Sequence, residues 1–224
     1  MSKIAATNAD FIFQQFSTHL EHRDLVEISA MLDGLRHHHA GKDGAGLSTG
    51  AMCEGAIMET LAHAIPGVSS QNVGEADGGC YDPADGSTVC WSLKTGNDRK
   101  GKVALALDWS KNKKQSVRER FTCPIVVSIR ASACWWKRPM HNGKAQDNKG
   151  VSAGIYVVDH LWCKRHIEEH LAKNNKTNTL IKPVFVLQML RSAKAAGRFI
   201  PYPDHSVRYL LPKFSIRRAF GLPE

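Results

Sequence analysis

The sequence lacks most of the features that assign a chain to a special class. No apolar run approaches the roughly 18–20 residues that span a bilayer, and Met1 to Asp10 has no apolar core of the kind a secretory signal carries. The six cysteines (53, 80, 90, 123, 134 and 163) include no CxxC pair. In a chain of 224 residues without an export signal they read as reduced, mostly buried thiols. No Walker A or GxGxxG phosphate loop is present, nor a recognisable Ser-His-Asp or Cys-His-Asp motif, an internal repeat or a low-complexity tract. These absences exclude a membrane span, a disulfide scaffold and a nucleotide-binding motif protein. They leave a cytoplasmic, soluble protein as the expectation.

What is present is an uneven charge. The formal net charge is +9, with 42% hydrophobic and 23% charged residues, which is ordinary for a folded domain. Residues 1–98 hold five Lys/Arg against thirteen Asp/Glu, whereas 99–149 hold thirteen against three and 150–224 hold twelve against five. An acidic front and a basic back suggest a polyanionic partner, most simply nucleic acid.

Periodicity predicts a mixed α/β fold with a central β-sheet flanked by helices. Apolar residues at helical spacing run from Phe11 to Leu35, predicting helix over 10–39 that ends at His37-His38-His39. Ser48 or Thr49 caps a second helix over 49–65, with a stripe of Ile57, Met58, Leu61 and Ile65 bordered by Glu54. Val73–Tyr81 and Ser87–Lys94 form a hairpin about the turn Asp82-Pro83-Ala84-Asp85-Gly86. Val89, Trp91 and Leu93 face one way; Thr88, Cys90, Ser92 and Lys94 face the other. A third strand is predicted over Val103–Trp109, with others over 123–130 and 155–158. Helices follow at 159–173 and 183–196, although Val184-Phe185-Val186 also suits a strand. The whole reads as one domain over 1–224: an N-terminal helical segment (1–47), a core (48–130), and a part that completes the sheet and contacts the partner (131–224).

Counting outward from the turn brings Asp77 level with Ser92 and Lys94 on one sheet face, so a carboxylate meets an ammonium. Glu-Ala-Asp at 75–77 and Ser92-Leu93-Lys94, behind a helix carrying Glu54, resemble the PD-(D/E)xK nuclease superfamily, type II restriction endonucleases in particular. The resemblance covers about 50–108 and implies a restriction-endonuclease-like fold. It implies a homodimer that cuts a palindromic double-stranded DNA site using Mg²⁺, for which Mn²⁺ may substitute, and leaves 5′-phosphates. Two departures stand out: Ala76 replaces the proline before Asp77, and Ser92 replaces the second acid. Hard cations take carboxylate and carbonyl oxygens. Asp77 is therefore the main candidate metal ligand, with the Leu93 carbonyl beside it. Glu54, Asp108 and Glu75 are candidates for the missing carboxylate, Glu54 preferred because an acid beside an apolar stripe needs a partner. Lys94 is the candidate for stabilising developing negative charge, and Ser92 for a direct role.

Arg99, Lys100, Lys102, Lys111, Lys113, Lys114, Arg118 and Arg120 follow at once and suit phosphate contacts. Trp135, Trp136, Lys137, Arg138, His141, Asn142, Lys144 and Gln146 combine aromatic, basic and amide groups of the kind that stack on or read bases. Arg208, Lys213, Arg217 and Arg218 could add a further backbone clamp. Rival readings are a junction resolvase of the same fold, a DNA-binding protein without catalysis, and a zinc-dependent interaction protein using His160, Cys163, His166 and His170. A solvated charged face is the plain alternative for the basic runs.

Overall fold

A computed structural model describes residues 7–39, 49–73, 76–99, 102–104, 122–129, 151–174 and 183–203. Helices α1 (Asn8–His19), α2 (His22–His39) and α3 (Thr49–Ala64) precede strands β1 (Val68–Val73), β2 (Ala76–Asp82), β3 (Ser87–Thr95), β4 (Asn97–Arg99), β5 (Lys102–Ala104), β6 (Ile125–Ile129) and β7 (Gly154–Val158). Then come α4 (His160–Asn174), α5 (Pro183–Ala195) and β8 (Phe199–Pro201). Among these residues no helix is long and apolar enough to cross a membrane.

Six strands form one sheet in the order β1-β2-β3-β6-β7-β8, and β4 and β5 form a separate two-stranded ribbon. All neighbours in the large sheet are antiparallel except β3 and β6, which run parallel from Ser92↔Ile125 to Thr95↔Ser128. The mixed α/β class read from the sequence is therefore present, with helices on both faces. Ile12, Phe16, Ile28, Leu32, Ile57 and Leu61 of α1–α3 pack on Trp91, Leu93, Val126 and Val157. Cys163, Ile167, Val186, Met189 and Leu190 of α4 and α5 pack on Ile125, Val127, Ile129, Tyr156 and Val158. The alternation of β3 does this sorting. Val89, Trp91 and Leu93 are buried against the first group, as their period of two requires. Trp91 is wholly buried, edge-on to Phe16 at 5.4 Å. Truncating it to Ala should cost about 3–5 kcal/mol.

Several boundaries differ from the periodicity. The helix predicted over 10–39 is two helices. Leu20 is extended (φ −74°, ψ 115°), and the Glu21 N–H is taken by the Asp24 carboxylate at 2.9 Å, which starts α2 afresh. The strand predicted over Val73–Tyr81 corresponds to β2, which starts at Ala76, and a further strand, β1, precedes it over Val68–Val73. β1 was missed because Ser69 and Ser70 are exposed on a polar edge strand. The third strand predicted over Val103–Trp109 does not extend the central sheet in its described part. Lys102–Ala104 pairs back on Asn97–Arg99, and the far neighbour of β3 is β6. Val184–Val186 belongs to helix α5, because its apolar residues continue at helical spacing through Met189 and Leu190.

Candidate functional site

The site begins where two strands part. The last pair of the β2–β3 ladder is Gly78↔Trp91. Ser92 N–H donates to the Pro124 carbonyl at 2.9 Å, and Gly96 N–H to the Ser128 carbonyl at 2.8 Å. The even-numbered backbone groups of β3 therefore point at β6, and the odd-numbered ones at β2. Beyond Trp91, the N–H groups of Leu93 and Thr95 face an edge that β2 has left. Buried N–H groups need acceptors, and here both are carboxylates. Asp77 Oδ2 accepts the Leu93 N–H at 2.6 Å, and Glu54 lies close enough to the Thr95 N–H for that dipole to lower its pKa. The N–H and C=O of one strand residue point the same way, so the Leu93 carbonyl lies on this edge between the two acids.

Gly78 shows how β2 is set down at that point. A Cβ on it would lie 2.6 Å from the Trp91 ring, so the indole occupies the space and Asp77 follows immediately. Asp77 Oδ2 also accepts from Ser92 Oγ at 3.0 Å and from Lys94 Nζ at 3.3 Å. Ser92 is only 7% exposed; its hydroxyl holds the carboxylate, which is a positioning contact. The Lys94 and Asp77 side chains retain 24% and 36% of their exposure. As an ion pair alone they are worth at most about 1 kcal/mol, so fold stability gives little reason for the pair.

Glu54 comes from α3, in the layer on the opposite face from Lys94, and reaches the strand end. Burial holds its carboxyl above the ordinary value of 4.5; the Lys94 charge opposes this, Asp77 adds to it, and the Thr95 N–H opposes it. Glu54 and Asp77 thus share one field.

The hairpin count proves right: Asp77, Ser92 and Lys94 meet on one side, and Glu54 joins them. Among the described residues no group of three or more His, Cys, Asp and Glu is close enough to form a complete metal cage. The donor set is two carboxylates with the Leu93 carbonyl, which suits a hard cation that keeps several waters. Asp108, Glu75, Lys100, Lys111, Lys113, Lys114, Arg118, Arg120, Trp135, Trp136, Lys137, Arg138, His141, Asn142, Lys144 and Gln146 lie outside the described residues, as do Arg208, Lys213, Arg217 and Arg218. The backbones of Arg99 and Lys102 are register partners in the β4–β5 ribbon, immediately beyond the site.

The zinc reading finds no support in the placement of its described side chains. Cys163 is wholly buried in the apolar layer, and that burial pushes its thiol pKa well up, which disfavours the thiolate a metal needs. His166 stacks on Trp162 at 3.8 Å, with Nδ1 3.0 Å from the Trp162 carbonyl. The feature missed in the sequence is the β3 edge itself, which depends on where β2 departs. Gly78 before the buried Trp91 was its one trace. No protein-family model, curated protein or solved structure matches this chain.

Proposed function

We propose that the protein is a divalent-metal-dependent endonuclease for double-stranded DNA with a restriction-endonuclease-like fold, acting as a homodimer on a palindromic site. The observation that carries this reading is the convergence of Asp77, Glu54 and Lys94 at the vacated edge of β3. Asp77 and Glu54, with the Leu93 carbonyl, would hold Mg²⁺ or Mn²⁺. When bound, such an ion neutralises phosphoryl charge and lowers the pKa of a water.

The chain's own contributions follow from the contacts. Asp77 is fixed by the Leu93 N–H and the Ser92 hydroxyl. Lys94 keeps a positive charge next to it, where charge on the phosphate grows during in-line attack. The 3′ oxygen leaves, and the phosphate stays on the 5′ end. Glu54 takes the place of the acid that Ser92 lacks. The basic residues from Arg99 onward follow the site in sequence and suit a grip on the phosphates flanking the cut. Two-fold symmetry would place one such site on each strand.

The test is digestion of plasmid and phage DNA with Mg²⁺, followed by sequencing of the ends. Discrete fragments with 5′-phosphates are expected. Asp77→Asn should abolish cutting and Lys94→Ala should slow it by about 10²–10³-fold, while a gel-shift assay still registers DNA binding. If the wild type binds DNA but never cuts it with Mg²⁺ or Mn²⁺, the protein is a DNA-binding module. If both variants cut at the wild-type rate, the site lies elsewhere.

A further inference from the structure

The six-stranded sheet has two edges, and they differ. β8 has three residues and ends at Pro201, which offers no N–H. β1 has six, and its sequence Val-Ser-Ser-Gln-Asn-Val carries neither charge nor proline. Among the described residues no strand pairs with its outer side, and Ser69 and Ser70 are exposed. The hydrogen bonds fix which backbone groups look outward. The Tyr81 N–H donates to the Gly67 carbonyl at 3.0 Å, and the Val68 N–H turns away from β2 to the Ile65 carbonyl at 3.2 Å. Ser69 stands opposite Gly79 and Ser70 opposite Gly78. The alternation of an antiparallel ladder therefore aims Gly67 and Ser69 at β2, and it aims the Val68 carbonyl and both backbone groups of Ser70 away from it. An uncharged edge of this kind is a template for another strand. A shift of register between Ser70 and Val73 bends the far half of β1 aside, so the regular part of the edge is residues 68–70.

We propose that β1 is the edge at which a second copy of this chain pairs antiparallel, joining two six-stranded sheets into one. A two-fold axis beside Ser69 sets Ser70 of each copy against Val68 of the other. The Ser70 N–H donates to the carbonyl of the partner's Val68, and symmetry returns the same bond, so the outward donor of this segment meets its own outward acceptor. A slip of one residue would set Ser70 against the inward-turned groups of Ser69 and lose both bonds. β1 brings no charge to the axis, so two copies meet there without opposing like charges. The axis stands perpendicular to the sheet, and each face continues into the same face of the other copy. Asp77 lies on the next strand, two residues from the Gly79 that faces Ser69. Strand spacing and rise then put the two copies of Asp77 on the order of 20 Å apart, one for each strand of a duplex. As the surface of the homodimer proposed above the inference rests on that reading; as a self-pairing edge it is decided without DNA.

The experiment is sedimentation equilibrium of the full chain over a range of concentrations, without DNA or metal. A reversible monomer–dimer equilibrium is expected. Ser70→Pro removes an N–H that faces away from β2, a position where an edge strand tolerates proline. Each dimer loses two hydrogen bonds, so association should weaken about 10–100-fold, while circular dichroism shows an intact fold. Ser69→Cys tests the register directly. The two copies of residue 69 form a non-hydrogen-bonded pair with Cα atoms about 4.5 Å apart, within the reach of a disulfide. Under oxidised glutathione this variant should give a covalent dimer linked through position 69 in a peptide map. Ser17→Cys, at an exposed site on α1, should not. A wild type that stays monomeric at every concentration overturns the proposal. So does a folded Ser70→Pro that dimerises as tightly as wild type, or a Ser69→Cys that links no faster than Ser17→Cys. The cross-link decides if the proline variant fails to fold. A chain that cuts DNA but does not pair through β1 keeps the nuclease reading and loses this one; a chain that pairs through β1 but never cuts does the reverse.

Discussion

Replacing Glu54 by Gln is the sharpest perturbation of the site. Glutamine keeps an oxygen for the Thr95 N–H, so the end of β3 stays satisfied, but the charge is gone. Burial raises the Glu54 carboxyl above its ordinary value of 4.5, with Asp77 adding to the rise. A carboxyl whose folded pKa lies above its unfolded one favours the protonated fold. Without metal, its contribution to stability is therefore greatest below the unfolded value. It falls as pH rises from there through the folded value, and the loss is complete above that. A divalent ion reverses the loss by taking the place of the proton. At a Mg²⁺ concentration about 100 times Kd, binding stabilises the fold by about 2.7 kcal/mol. For a chain of this size that raises Tm by roughly 5–10 °C. Disturbing a metal's surroundings typically weakens binding by about 10–100-fold. A 100-fold loss brings the same concentration to Kd, where the gain is only about 0.4 kcal/mol, or roughly 1–2 °C. The assay is calorimetry of wild type and Glu54→Gln at several pH values, in chelator and in Mg²⁺. The wild type should lose Tm in chelator as pH rises above about 4.5 through the Glu54 window, and regain it in Mg²⁺. The variant should lack that component of the loss and nearly all of the gain. A variant that keeps the full Mg²⁺ shift, or a wild type that shows none, would refute the assignment of Glu54 as a ligand.

Other variants separate the site from its scaffold. Lys94→Ala should lower the cleavage rate by about 10²–10³-fold, the usual effect of removing one group that stabilises transition-state charge, with DNA affinity unchanged in a gel-shift titration. Ser92→Ala removes the hydroxyl bond that holds Asp77; it should weaken Mg²⁺ binding by about 10–100-fold, readable as a shifted metal dependence of cleavage. Gly78→Ala sets a methyl 2.6 Å from the Trp91 ring and should cost about 1–3 kcal/mol in urea unfolding. Thr7→Ala opens the capping box of α1, in which Thr7 and Asp10 each accept the other's backbone N–H. It should lower stability by about 1 kcal/mol with no change in cleavage.

The parts of this structure that sequence made legible are those governed by local rules. Val89, Trp91 and Leu93 alternate with Ser92 and Lys94, and the turn at 82–86 fixes the count. The level at which Asp77 meets Lys94 is therefore readable from the sequence alone. Glu54 was legible for another reason, as an acid bordering an apolar stripe whose burial demands a partner. The parallel contact of β3 with β6 was not legible, because it joins Ser92 to Ile125 across a long intervening segment and leaves no periodic trace. The break at Leu20–Glu21 was hidden because apolar residues keep near-helical spacing across it, while Asp24 caps the new start. β1 was hidden for the opposite reason: an edge strand with exposed Ser69 and Ser70 shows little apolar alternation.

The departure of β2 from β3 raises the question of why carboxylates fill the gap. Two backbone N–H groups at a strand end need two acceptors, and neutral side chains such as Asn, Ser or Gln would serve. Neutral acceptors would avoid the electrostatic cost seen at Glu54, whose proton is held more tightly because of burial and the nearby Asp77 charge. Lys94 offsets only part of that cost, since its ammonium bonds to Asp77 and remains partly solvated. A cap alone gives no reason for placing two acids around the Leu93 carbonyl. A divalent cation does, because it needs negative oxygens close together and removes the repulsion between them when it binds. On this argument the unrelieved charge at the edge of β3 is what supports a metal there, and neutralising both acids together puts it to the test. Asp77→Asn combined with Glu54→Gln should give a fold at least as stable as wild type in chelator at neutral pH, and one that no longer responds to Mg²⁺. A double variant markedly less stable in chelator would mean that the acids serve the fold as caps, and the case for a cation would lose its basis.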